Sequence, residues 1–281
     1  MVDCREEFRL KSFLFQHEDP QIFVQFQFGK QTAYLVWRIF WALYHIAWII
    51  VSGIYVEQWA GPDSSQHVKW FIFLTNWAYF TLTVATIVDA AVVGYVFFKR
   101  RDILKGIADF MPWYLRADWC LATMAGVVSV TTSIVYWGLV YNGRDITAVD
   151  ASTHLINSVY VIANVFLTGM PMRILHFWFS VLYALVYSLF TVVYYFAGGT
   201  NHNENPYVYP QLNWDEKPGT AAMYCVIVTF VAVSIVHLIL FGFYSLKVFI
   251  SSRVGLCDPV PELEDIRSPT HSNIEMKMPE Y

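Results

Sequence analysis

The chain alternates long apolar stretches with short polar connections, and each apolar stretch approaches the length of a membrane-spanning helix. About 20 consecutive apolar residues form a helix that crosses roughly 30 Å of hydrocarbon. On this basis we predict six spans, at residues 33–56, 70–98, 119–141, 151–167, 174–197 and 221–250. The apolar residues run continuously rather than alternating, which disfavours a β-barrel. The predicted fold class is therefore all-α: a polytopic membrane helical bundle.

The fourth predicted span is the least certain of the six from its pattern. The stretch "ASTHLINSVYVIANVFL" is short, contains one His and two Asn, and is followed by the helix-breaking "GMP" at 169–171. A buried helix of the soluble kind is the alternative. We keep the segment as a span because omitting it would reverse the orientation of every later segment, against the charge distribution.

The Lys and Arg residues predict which side each connection faces. With six crossings, one side receives segments 1–32, 99–118, 168–176 and the tail from 247, which together hold 14 basic residues. The other side holds only Lys69, Arg144 and Lys217. Basic residues concentrate on the cytoplasmic side of membrane proteins. Both termini are therefore predicted to be cytoplasmic.

This topology divides the chain into three predicted regions. Residues 1–32 form a cytoplasmic segment without the apolar core of a cleavable signal peptide, so the first span is expected to act as a signal anchor. Residues 33–250 form the six-span membrane domain. Residues 251–281 are acidic and rich in proline, and are expected to form a disordered cytoplasmic tail.

Composition narrows the function. The chain is 57% hydrophobic and only 14% charged, against about 25% charged in soluble domains. Its net charge of −4, without a basic stripe, argues against nucleic acid as a partner. No Walker, HExxH or GxSxG motif occurs, and His202 has no second ligand at metal spacing, so neither cofactor nor metal is expected. Cys4 and Cys257 flank the membrane domain and are candidates for acylation; free thiols are the alternative.

Two polar side chains are predicted to lie at similar depth below the outer face. Thr75 follows the start of the second span, and His154 follows the start of the fourth, which begins on the same side. A threonine hydroxyl next to a histidine base is the minimum pair for a nucleophilic mechanism. Asn76 or Asn157 could stabilise an oxyanion, and Asp150 could orient the histidine. The alternative is that Thr75 and His154 serve only as hydrogen-bonding residues between helices.

Asp89 is the other candidate, because a carboxylate within a span needs a partner or a proton. His45 in the first span and His237 in the sixth are its predicted partners. A structural pair is favoured over a proton relay. Arg38, near the start of the first span, is expected to extend its charged end toward the interface.

Several segments resemble the rolling stone family of multi-pass membrane proteins. They are "WFIFLTNWAY", the run from "DASTHLINSVYV" to "YYFAGGT", and "YVYPQLNWDEKPG". This resemblance covers about residues 30–250 and implies a role in myoblast fusion, without a defined chemistry. More distantly, Thr75 in "FLTNW", His154 in "STHLIN" and the stretch "VYPQL" are similar to the androgen-induced membrane hydrolases. That second resemblance implies a Thr/His pair that cleaves fatty-acid esters of hydroxy fatty acids.

The sequence thus supports two functions of different kinds. The first is a plasma-membrane protein of cell–cell fusion that works with other membrane proteins or on lipid organisation; the endoplasmic reticulum is the alternative location. The second is an intramembrane hydrolase with Thr75 as nucleophile and His154 as base, acting on a lipid ester. A transporter is a third, weaker hypothesis, because broken helices and inverted repeats are not visible. Whether the protein is an enzyme is left open.

Overall fold

The computed structural model describes residues 7–56 and 63–254, and its main feature is a bundle of six long helices. These are α1 (Gln31–Ile54), α2 (Leu74–Lys99), α3 (Trp113–Val140), α4 (148–167), α5 (Ile174–Phe196) and α6 (Pro218–Val254). All except α4 are long and apolar enough to cross a membrane. The predicted all-α membrane bundle is confirmed.

Helix α4 nevertheless runs along the whole bundle. It is built of Ala148–Ala151, Ser152–Ile156 and Asn157–Leu167 without a break in the helix. Near its start, His154 stacks on Tyr136 at the end of α3. Just after its end, the carbonyl of Thr168 accepts a hydrogen bond from Lys247, near the end of α6. A helix of this length extends about 30 Å, which agrees with the predicted fourth crossing.

Both ends of the described chain lie at the same end of the bundle. Glu7 pairs with Arg173 in the connection between α4 and α5, at 2.7 Å. Lys247 of α6 donates to the carbonyl of Thr168 in that same connection, at 2.8 Å. We call this end, which the basic residues predict to be cytoplasmic, the inner end. The outer end carries the connections 63–73, 141–147 and 197–217.

The connections contain short helical turns as well as irregular chain. These turns are Leu10–Phe13, Pro20–Val24, Ser64–His67, Val68–Ile72, Arg101–Leu104 and Pro210–Leu212. The segment before α1, predicted as a separate region, packs under the bundle: Phe15 and Phe23 contact the fully buried ring of Trp119. The indole of Trp119 donates to the carbonyl of Pro171 at 2.7 Å. Aromatic side chains from the segment before α1 thus cover the inner end of the bundle around Trp119. The predicted tail 251–281, with Cys257, falls almost wholly outside the described residues, as does Cys4.

One predicted boundary was wrong in a way that matters for function. The third span was expected to start at Trp119, but α3 begins at Trp113, directly after Pro112, whose extended backbone ends the preceding connection. The first turns of α3 therefore enter the bundle, with Leu115 fully buried. Asp118, which was assigned to a cytoplasmic connection, is fully buried as well.

Candidate functional site

Thr75 lies at the outer end, in the wall of a small cavity between α2, α3, α5 and α6. The cavity measures about 80 Å³, room for a few water molecules or methylene groups. Its wall is mostly apolar. The residues that line it include Leu74, Thr75, Tyr136, Tyr187, Tyr209 and Cys225. The predicted nucleophile therefore has an apolar space beside it rather than a neighbouring helix alone.

Two tyrosines fix the start of α2 beside this cavity. The hydroxyl of Tyr209, from the connection between α5 and α6, accepts a hydrogen bond from the backbone N–H of Leu74 at 3.0 Å. It also lies within hydrogen-bonding range of Thr75. The hydroxyl of Tyr187 in α5 donates to the carbonyl of Ile72 at 2.8 Å. Tyr209 belongs to the "VYPQL" stretch, but its contact with Thr75 was not anticipated from the sequence.

His154 is buried at the same end of the bundle but does not line the cavity. Its ring stacks on that of Tyr136, with centroids 3.5 Å apart and planes 2° from parallel. Its Nδ1 has no hydrogen-bond partner in the described part of the chain. Tyr136 does line the cavity, so it links Thr75's surroundings to the imidazole. Within 7–56 and 63–254 no hydrogen bond joins Thr75 to His154, and their catalytic pairing stays a prediction.

Asp150, predicted to orient His154, instead holds the end of α3. Its Oδ1 accepts from the hydroxyl of Tyr136 at 2.8 Å and from Arg144 at 2.7 Å. Its Oδ2 accepts from Thr147, so that the two residues form a reciprocal cap at the start of α4. The carboxylate therefore reaches His154 only through the stacked ring of Tyr136.

The two asparagines predicted as oxyanion donors already have partners in the protein. Asn76 donates its amide to the carbonyl of Trp70 at 2.6 Å. Asn157 donates to the carbonyl of Thr153 at 2.6 Å and accepts from Ser133 at 3.3 Å. Both amides are buried. In this arrangement one N–H of each amide holds local backbone, which leaves the second N–H of each to donate to an oxyanion.

Three wide helical turns surround the same outer region. They are the π-helical segments Tyr136–Val140, Ser152–Ile156 and Ile227–Ala232. The first and third contribute wall residues to the cavity, and the second carries His154. Single π turns occur often at functional sites, because they redirect side chains without ending the helix. Their position favours the outer cavity as the candidate site over the rest of the outer end.

The outer connections form an ordered cover over the ends of the helices. Lys69 donates to the carbonyl of Asn201 at 2.7 Å and to the hydroxyl of Thr200 at 2.9 Å. It also lies 3.4 Å from the exposed carboxylate of Glu204. Burial and then the charge of Lys69 lower the pKa of His202.

A second polar site lies at the inner end, where Asp89 pairs with Arg38. The guanidinium nitrogen of Arg38 is 2.7 Å from the carboxylate of Asp89, and both side chains are almost fully buried. The same nitrogen donates to Asn164 at 2.7 Å, and the other terminal nitrogen donates to the hydroxyl of Tyr34. A buried ion pair with these additional bonds compensates part of the desolvation of its charges.

This pairing corrects two predictions. Arg38 does not extend to the interface, because its charge is bound inside the bundle. Neither histidine is the partner of Asp89: His237 contacts the carbonyl of Arg173 at 2.9 Å, and His45 lies among aromatic rings. A sequence signal did exist, because Tyr34, Arg38 and His45 recur at spacings of four and seven residues. Those spacings place them on one face of α1, and all three are buried.

The long helices, their apolar outer surfaces and the buried polar sites together define a polytopic α-helical membrane protein. The chain matches the family described as "Protein rolling stone" over residues 3–257 and belongs to the rolling stone family. It is 27% identical over 254 residues to "Protein rolling stone" of Drosophila melanogaster, which covers 86% of this chain and 89% of that protein. No solved structure matches the chain.

Proposed function

We propose that this protein acts at the plasma membrane in cell–cell fusion of the myoblast type. The observation that carries the proposal is the family match over nearly the whole chain, including both polar sites. The relative from Drosophila melanogaster, at 27% identity, also aligns with 86% of this chain. Shared architecture across this length supports a shared cellular role.

The short outer connections and the apolar outer surface indicate how the protein would perform such a role. The connections between helices are short, and Lys69 ties the cover to Thr200 and Asn201. A compact outer surface of this kind offers little chain to reach across to a second cell. Large apolar side chains such as Phe196 and Phe80 point outward from the helices. The protein would therefore act through membrane partners or on the surrounding lipid.

Deletion and rescue in a fusing cell line test this proposal. We expect deletion cells to fuse less, and the wild-type chain to restore fusion and to be labelled by a surface reagent that cannot cross the membrane. A rescue variant with Asp109→Asn, an exposed change in the connection before α3, should behave like wild type. Normal fusion in deletion cells, together with a protein that never reaches the surface, would reject the proposal.

A second candidate function, an intramembrane lipid hydrolase, is favoured by one specific observation: Thr75 lines an apolar cavity next to the π turns. In this reaction the Thr75 hydroxyl attacks the ester carbonyl while His154 takes its proton. The alkoxide of the hydroxy fatty acid then leaves with that proton. Water, deprotonated by His154, cleaves the acyl-threonine and restores both residues. Tyr136 has to turn aside for His154 to reach the cavity, which has to widen for an acyl chain.

Purified wild type, Thr75→Ala and His154→Ala distinguish this function from the first. With a fluorogenic ester of a hydroxy fatty acid, we expect both variants to lose turnover by at least ~100-fold. Thr81→Ala, a change in α2 outside the cavity, is the matched control and should retain it. Equal background turnover in all four proteins would remove the hydrolase function for these substrates while leaving the fusion proposal untouched.

A further inference from the structure

Asp118 of α3 is fully buried, and neither of its carboxylate oxygens has a hydrogen-bond partner in the described ranges. Asp89 of α2 faces the same region: its Oδ2 is bound to Arg38, but its Oδ1 is unpaired. The electrostatic neighbours of Asp118 are Asp89 and Arg38. Three carboxylate oxygens in this part of the bundle thus lack a hydrogen-bond donor among the described residues.

The charges of this cluster do not balance. One guanidinium and two carboxylates, when ionised, leave one net negative charge away from water. Such a charge is strongly unfavourable inside a membrane bundle unless it is compensated. Lys247, which is also buried at this end, is directed to the carbonyl of Thr168 at 2.8 Å and to the ring of Tyr244. Arg173 is engaged by Glu7.

Space for a compensating ion lies beside the cluster. Asp89 lines a cavity of about 50 Å³ enclosed by α2, α3 and α4. Thr123, five residues after Asp118 in α3, lines it too, and so do Thr86 and Asn164. These side chains add hydroxyl and amide oxygens to those of the carboxylates. The volume is sufficient for an ion or a water molecule and too small for an organic ligand.

We propose that one alkali-metal cation, with sodium as the probe, binds in this cavity at Asp89, beside the Arg38 ion pair, and compensates the charge of the neighbouring Asp118. A single positive charge neutralises the cluster, whereas a divalent ion would leave it positive. A proton would also neutralise the cluster, but a proton bonds to a single carboxylate oxygen, while a cation in the cavity can also contact the hydroxyl oxygens of its wall. Hard cations select carboxylate, hydroxyl and amide oxygens of this kind. Among the described residues no group of three His, Cys, Asp or Glu suits a transition metal.

The test is the thermal unfolding of the full chain purified in detergent, at constant neutral pH and ionic strength. Sodium chloride is titrated against N-methylglucamine chloride, whose cation is too large for the cavity. A bound ion stabilises the folded state alone, so the midpoint should rise with sodium and saturate, by about 5 °C. Radioactive sodium should be retained by the same protein with a stoichiometry of one per chain.

Asp118→Asn supplies the specific test. It removes the uncompensated charge while keeping the size of the side chain, so the variant should unfold at a midpoint independent of sodium and should retain no radioactive ion. Asp109→Asn, an exposed change earlier in the same region, is the matched control and should keep the full sodium response.

Three results would overturn the proposal. The first is a wild-type midpoint that does not respond to sodium, a measurement that stands even if Asp118→Asn fails to accumulate. The second is a midpoint that changes with pH and not with sodium, which assigns the compensating charge to a proton. The third is a sodium response that persists unchanged in Asp118→Asn, which places the ion elsewhere.

Discussion

An ion pair at the inner end lies entirely inside the bundle, whereas the comparable pair at the outer end keeps contact with its surroundings. The side chains of Arg38 and Asp89 are 1% and 2% exposed. Those of Arg144 and Asp150 are 49% and 10% exposed at the same separation of 2.7 Å. An arginine–aspartate pair is therefore found both in a buried and in a partly exposed environment, and the exposure determines how much each pair contributes to stability.

The inner end uses buried charges to hold helices and the segment before α1 together. Arg38 joins α1 to α2 and α4, and Glu7 ties the start of the described chain to Arg173. The outer end has a cavity, three π turns and an aromatic cover held largely by tyrosine hydroxyls. Buried charges therefore hold the inner end, whereas hydrogen bonds from neutral hydroxyls hold much of the outer end.

The largest expected effect comes from Arg38→Met. It leaves two buried carboxylates without their guanidinium, and removing one partner of a buried pair costs about 3–5 kcal/mol in the free energy of unfolding. Arg144→Met, the matched change at the outer end, should cost about 1 kcal/mol or less because its charge is half exposed. Chemical unfolding in detergent measures both values. Equal losses would contradict the difference between the two ends.

A smaller loss in the free energy of unfolding is expected when one carboxylate at each end of the bundle is neutralised, Glu7 at the inner end and Glu204 at the outer end. Glu7 is 1% exposed and accepts from Arg173 and from the backbone N–H of Ile174. Glu7→Gln should therefore lower the free energy of unfolding by about 1.5–3 kcal/mol, the range for hydrogen bonds to charged groups. Glu204→Gln at the outer cover should change it by less than about 0.5 kcal/mol, since Glu204 is 71% exposed. Limited proteolysis before α1 should increase only for the Glu7 variant.

Alanine substitutions at two glycines test how tightly the inner and outer ends of the bundle are packed. A Cβ added to Gly169, after α4, would clash with the carbonyl oxygen of Ile22, so Gly169→Ala must displace backbone. We expect a cost of about 1–3 kcal/mol. Gly138, in the π turn of α3, has nothing within 4 Å of such a Cβ, and Gly138→Ala should be neutral or slightly stabilising. Thermal unfolding of the two variants would refute the comparison if their order were reversed.

The smallest loss in the free energy of unfolding is expected when the Tyr209 hydroxyl, which lies beside Thr75, is removed. Tyr209→Phe removes the acceptor for the N–H of Leu74 and should lower the free energy of unfolding by about 1 kcal/mol. Tyr207→Phe, two residues earlier and outside the cavity wall, is the control. A covalent probe for activated hydroxyls should show whether Thr75 becomes more or less reactive without this neighbour. An unchanged stability would mean that water replaces the Tyr209 hydroxyl.

The apolar pattern by itself determined the class of protein and the number of long helices, because bilayer thickness sets the length of a span. It also predicted that Thr75 and His154 lie at one end, since span order determines the end at which each helix begins. It missed the burial of Asp118, because Pro112 rather than the polarity of residues 113–118 decides where α3 starts.

The tertiary structure alone decided which polar groups meet. The face of a helix can be derived from residue spacing, but the helix that packs against that face cannot. The partners of Arg38, Asp89 and Asn164, therefore could not be predicted, because they lie on two other helices. The position of Tyr136, which stacks on His154 and lines the cavity beside Thr75, could not be predicted either. Desolvation makes the partners of Arg38 decisive, since a buried charge is costly unless an opposite charge or hydrogen bonds compensate it.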